Sequence, residues 1–60
     1  MTAREFIRIR GELGISQARL AKALGVTDRT VRRIEAQDCP IPGPVERLMR
    51  AFKAGEIAAA

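Results

Sequence analysis

The sixty-residue chain has no histidine, no tryptophan and no tyrosine, and a single cysteine, Cys39. Without histidine, and with one thiol, the residue sets that build nucleophilic triads, imidazole acid–base pairs and structural zinc sites are missing. A disulfide framework within one chain is impossible. No paired carboxylates and no phosphate-cradling glycine loop take their place, so no credible enzyme site remains and no cofactor, metal or small-molecule ligand is implied. No apolar run approaches the roughly 20 residues of a membrane span, and no signal peptide opens the chain; the expected location is the cytoplasm, with no membrane partner.

Aromatic content is low, with only Phe6 and Phe52. Strand patterning is also scarce, which leaves a small aliphatic core in an all-α fold. A single domain over residues 1–60 is the expectation, and a chain of this length buries only about 60% of its unfolded surface. Dimerisation is one way to supplement so small a core.

What the chain has in quantity is positive charge. Eleven Lys and Arg against seven Asp and Glu give a net charge of +4 and a pI near 10.7. That balance favours a nucleic acid or another polyanion, although charge alone does not distinguish them.

Five of the eleven Lys and Arg lie in one stretch, residues 17–36, which reads as two short helices around a tight turn. Ser16 has the side chain to cap the first, and Leu20, Ala21 and Leu24 share one face at helical spacing. Gly25 suits the left-handed position that ends a helix, Val26 can tuck beneath the turn, and Thr27 can cap a second helix carrying Val31 and Ile34 three residues apart. This is the pattern of a helix-turn-helix. The small Ala21 lets the second helix cross close over the first. On the second helix, Arg29, Arg32, Arg33 and Ala36 point away from Val31 and Ile34. Guanidinium groups suit guanine edges and phosphates, so this stripe is either a major-groove reading surface or an ordinary solvated face.

On residues Leu13-Gly14-Ile15-Ser16-Gln17, Leu20-Ala21, Leu24-Gly25-Val26-Thr27, Thr30-Val31, Ile34 and Glu35, the chain resembles the phage-repressor and Cro-like helix-turn-helix domains, the XRE family. The resemblance runs from about Phe6 to Phe52. It implies a compact four- to five-helix bundle of the lambda-repressor-like type, bound to double-stranded operator DNA as a homodimer. It also implies that Asp28, Arg29, Thr30, Arg32 and Arg33 face base edges. Asp28 has a second reading, as a first-turn carboxylate favoured by the helix dipole. Gln17 takes a backbone role in the family, and Thr27, Arg10, Gly43 and Arg47 complete the expected phosphate-side set. An arginine late in the first helix often pairs with a glutamate late in the recognition helix, here Arg10 and Glu35.

The flanks have a support role. Thr2 and Glu5 have capping-box spacing ahead of the Phe6, Ile9 and Leu13 stripe, and Arg4 and Arg8 lie on that helix's flank, solvated or touching phosphate. Residues 37–44 form a Pro-rich connector, with Pro44 expected at the first position of a final helix bearing Val45, Leu48, Met49 and Phe52. Here the chain departs from its relatives, many of which carry Lys or Arg where this one has Asp38. Residues 55–60 are a tail. Ile41, Pro42, Pro44 and Ile57 have no obvious place in the core and are the expected dimer interface, with Cys39 a small semi-buried thiol nearby. Two functions from different classes follow: a sequence-specific transcriptional regulator acting as a repressor, or an antitoxin-like protein-interaction module with secondary DNA binding.

Overall fold

A computed structural model describes residues 1–59, and among them it holds four helices and no strand. These are α1 (Ala3–Leu13), α2 (Gln17–Leu24), α3 (Asp28–Glu35) and α4 (Gly43–Ala54). The first three begin in the same way. Thr2, Ser16 and Thr27 sit in extended backbone and accept from the N–H groups of Glu5, Arg19 and Thr30 at 3.1, 3.1 and 3.3 Å. Each bond satisfies one of the N–H groups that a helix start leaves without a partner.

All four helices also end alike, with the chain turning through a left-handed residue and a backbone N–H reaching back five positions. Gly14, Gly25 and Gly55 occupy that position after α1, α2 and α4, with φ of 70°, 75° and 75°. After α3 it is held by Gln37, at φ 64°, while the Asp38 N–H bonds the Arg33 carbonyl at 2.9 Å. A side chain in this conformation costs about 1–2 kcal/mol that glycine does not.

The helix stripes converge on one core: Phe6 and Ile9 from α1, Leu20, Ala21 and Leu24 from α2, Val31 and Ile34 from α3, and Val45, Met49 and Phe52 from α4. All of these core residues are hydrophobic. Leu13, Val26 and Leu48 pack partly buried around this core, and so does Ile41. The expectation that Ile41 lies outside the core is therefore corrected, since the connector folds back and covers the apolar interior with it. Pro42 and Pro44 are exposed, and Ile57 retains 46% of its surface in solvent.

The last helix begins one residue earlier than expected, at Gly43 with Pro42 as its cap. Pro44 then occupies the second helical position. Its missing N–H is harmless at either place, because no N–H in the first turn has an intrahelical acceptor. In the tail, Gly55 to Ile57 form a turn and add no fifth helix; Ala60 lies outside the described residues.

Beside the core, Glu46 of α4 accepts from the Arg50 guanidinium at 2.9 Å and from the Met1 ammonium at 3.2 Å. The Arg50 bond, and after it the ammonium bond, hold the Glu46 carboxyl below the usual carboxylate range. Its folded-state pKa is thus lower than its unfolded one, so the stability it contributes is complete above the ordinary carboxylate pKa and disappears as pH falls through the folded value. Thermal denaturation should show E46Q less stable than the parent at pH 7, with the gap closing as the pH is lowered below the ordinary carboxylate range.

Ala21 is 3% exposed on α2, the helix that packs most closely against α3. Ala21→Leu should cost about 1–3 kcal/mol by overpacking, lowering Tm by roughly 5–20 °C. An unchanged Tm would mean that the two helices do not set their separation through this residue.

Candidate nucleic-acid interface

Helix α3 buries Val31 and Ile34 completely and turns Asp28, Arg29, Arg32 and Arg33 to solvent. The result follows from spacing alone. Apolar residues three apart fix one side of an eight-residue helix, and arginines in the remaining positions have nowhere to go but outward. The three guanidiniums are on one short element, and none takes a carboxylate within 4.0 Å among the described residues. They form a cation-bearing ridge carrying planar, multi-donor groups.

Thr30 is placed differently from the arginines. It is half-buried, and its hydroxyl lies 3.0 Å from that of Thr27. The two threonines therefore fix one another at the start of α3, and the Thr30 hydroxyl has less freedom than an exposed one. Asp28 is exposed in the first turn, where the helix dipole favours a carboxylate.

At the other end of α3, Glu35 is the junction. Its carboxylate accepts from Arg10 of α1, through Nε at 2.6 Å and Nη2 at 3.2 Å, a two-pronged pairing. The same carboxylate accepts from the Gln17 side-chain amide of α2 at 2.8 Å. Arg10 also donates through Nη1 to the Ile15 carbonyl at 3.0 Å, in the link between α1 and α2. One acidic side chain thus ties together the helix that carries the ridge, the helix before it and the helix at the chain's start.

The position of this group decides its strength. The Glu35 side chain is 8% exposed and that of Arg10 is 23% exposed, so water screens the pair only in part. Bidentate geometry and charge assistance place it among the stronger surface-proximal contacts. Several Arg10 N–H groups are engaged within the fold, and the Gln17 amide is oriented by Glu35 at the start of α2. The resemblance pointed to Gln17 as a contact to the DNA phosphate backbone. Its bond to Glu35 spans eighteen positions and has no local signature.

Of the other residues expected on the phosphate side, Thr27 adjoins α3 in the chain and Gly43 and Arg47 lie apart from it. Gly43 and Arg47 are exposed at the start of α4, and Thr27 is exposed at the start of α3. On α1, Arg4 is exposed and Arg8 lies 3.8 Å from Glu12 with both side chains largely in solvent, a weak pairing. Cys39 is half-buried and free. Among the described residues no group of histidine, cysteine or acidic side chains is arranged to hold a metal ion, and no helix is long and apolar enough to cross a membrane.

Two short helices at a tight glycine turn, with an exposed cationic second helix, define a helix-turn-helix unit of the kind that binds DNA. A family model described as helix-turn-helix matches residues 7–54, from within α1 to the last residue of α4. The chain belongs to the Cro and repressor-like, XRE-type helix-turn-helix family. That is a family of sequence-specific DNA-binding transcription regulators, and its members are not typically enzymes. No curated protein and no solved structure matches the chain.

Removing Glu35 should leave Arg10 with a carbonyl as its one remaining acceptor and should release Gln17. Glu35→Leu is expected to cost about 1–3 kcal/mol, less than the loss of one partner from a fully buried pair, because Arg10 reaches water. In a double-mutant cycle measured by thermal denaturation, Arg10→Met with Glu35→Leu should recover much of that loss. Strictly additive losses would show that the pair carries no coupling.

Proposed function

We propose that the protein is a repressor that binds a palindromic operator as a homodimer, with α3 in the major groove of each half-site. The observation that carries this reading is the unpaired Arg29, Arg32 and Arg33 ridge on a helix whose opposite side is fully buried. Arginine forms paired hydrogen bonds with guanine O6 and N7, and a helix fixed by its buried face can present such groups with no further ordering of its backbone. Arg29 and Arg33, one turn apart, are the leading base readers, with Asp28, Thr30 and Arg32 beside them. Gln17, Thr27, Gly43 and Arg47 serve the phosphate backbone, and Arg10 adds its charge from within the Glu35 group.

Size supports two copies. The described residues extend 28 × 20 × 19 Å, whereas equivalent major-groove faces on one side of a duplex recur about every 34 Å. One copy presents one α3 and serves one half-site; a second copy serves the next. Exposed Pro42, Pro44 and Ile57 supply an apolar surface for that contact, with Ile41 contributing only the part of its side chain left outside the core. In this reading residues 17–36 are the DNA-reading unit, 37–44 the connector and 55–60 a tail. Repression is steric, because a dimer over a promoter excludes polymerase.

Selection from random duplex DNA at about 0.15 M salt should recover a two-fold-symmetric site. Arg33→Ala should lose preference at one base pair in each half-site, at about 1–3 kcal/mol per contact. Affinity should fall steeply with salt as phosphate contacts release counterions. Sequence-blind binding by the parent protein would instead assign the arginines to phosphates and turn the search toward a protein partner.

A further inference from the structure

Helices α2 and α3 begin with the same geometry and different charge. Ser16 and Thr27 each take up the third N–H of the helix that follows, so the N–H groups of Gln17 and Ala18, and of Asp28 and Arg29, have no acceptor among the described residues. Both starts therefore present free donors at the positive end of a helix dipole, a combination that attracts phosphate. The first turn of α2 holds no acidic residue, whereas α3 opens on Asp28. That carboxylate is exposed and unpaired. Arg32 stands four residues on, the spacing at which Glu46 holds Arg50 at 2.9 Å, yet Asp28 has no cation within 4.0 Å among the described residues. A full negative charge thus stands at the tip of a helix whose other exposed side chains are three arginines, in a chain of net charge +4.

We propose that Asp28 acts by exclusion: its carboxylate keeps phosphates off the start of α3, lowering affinity for the DNA backbone in general and so raising selectivity. This deepens the DNA-binding reading above and rests on it. A phosphate seated on the free N–H groups of Asp28 and Arg29 would lie beside a like charge, and at a protein surface one such charge shifts an equilibrium about three- to ten-fold. The same anion at the start of α2 meets no acid. The two helix starts divide the duplex between them, with the backbone admitted at α2 and the start of α3 left to base edges. Among those edges an acceptor-only side chain suits cytosine N4 or adenine N6 and is repelled by guanine O6 and N7 and by thymine O4. Non-specific sites vastly outnumber an operator, so a residue that weakens backbone binding everywhere improves discrimination without adding a contact.

Asp28→Asn, which keeps the size and removes the charge at an exposed position, tests this beside Glu56→Gln, which makes the same change of charge at an exposed position outside both helices. Fluorescence anisotropy is read on the duplex selected by the parent protein and on an unrelated duplex, across a salt series. Asp28→Asn should tighten binding to the unrelated duplex about three- to ten-fold, with a salt slope steeper by about one per copy, and should change binding to the selected duplex less than about two-fold. Discrimination between the duplexes then falls. Glu56→Gln should move either affinity less than about two-fold. Unchanged or weaker binding of the unrelated duplex by Asp28→Asn would overturn the inference while leaving the DNA reading intact. Equal tightening by Asp28→Asn on both duplexes would overturn it too, and so would a matching gain in Glu56→Gln, which would trace the effect to net charge. Failure of the parent protein to bind any duplex would remove the DNA reading, and this inference with it.

Discussion

The Glu35 carboxylate is the constraint on which the placement of the other parts depends. The core is wholly apolar, and apolar packing is tolerant of small slides between helices. Hydrogen bonds are not. By accepting from Arg10 on α1 and Gln17 on α2, Glu35 fixes where the C-terminal half of α3 sits relative to both. The ridge of Arg29, Arg32 and Arg33 is on the same rigid element, so its direction is fixed by the same group. Net stabilisation from such a pair is modest; orientation is its main return.

This arrangement also separates two tasks along α3. Val31 and Ile34 attach the helix to the core, the arginines face outward, and Glu35 locks the end. The Thr27 and Thr30 hydroxyls lock the beginning. An eight-residue helix is too short to be stable alone in water, so both its existence and its exposed chemistry depend on these attachments.

Much of the fold was legible because its signals are local. Thr2, Ser16 and Thr27 cap helices through bonds three residues long, and Gly14, Gly25 and Gly55 stop helices by a backbone preference that needs no tertiary partner. Apolar spacing placed the arginines of α3 outside. Three features were not legible, each for a physical reason. The Gln17 bond to Glu35 joins positions brought together only by packing. Ile41 follows a proline-rich segment whose path no periodicity encodes, so its return to the core could not be read. Gln37 carries no compositional mark of a left-handed residue, since glutamine is not a residue that favours that conformation. The start of α4 shifted by one residue because proline is equally acceptable at the first two helical positions. The Arg10 and Glu35 contact was expected from family resemblance and not from spacing.

Helix boundaries set by neighbouring residues have a kinetic side. A chain whose stops and starts are written within five positions needs few distant contacts to fix its helix boundaries, and α2 and α3, the pair in closest contact, are adjacent in sequence. Topologies of this kind fold in microseconds to milliseconds. With reclosing that fast, a protease meets the open chain only in proportion to its equilibrium population. The exposure of this fold to cleavage is then governed by the free-energy difference between its folded and open forms, and anything that binds only the folded form lowers it.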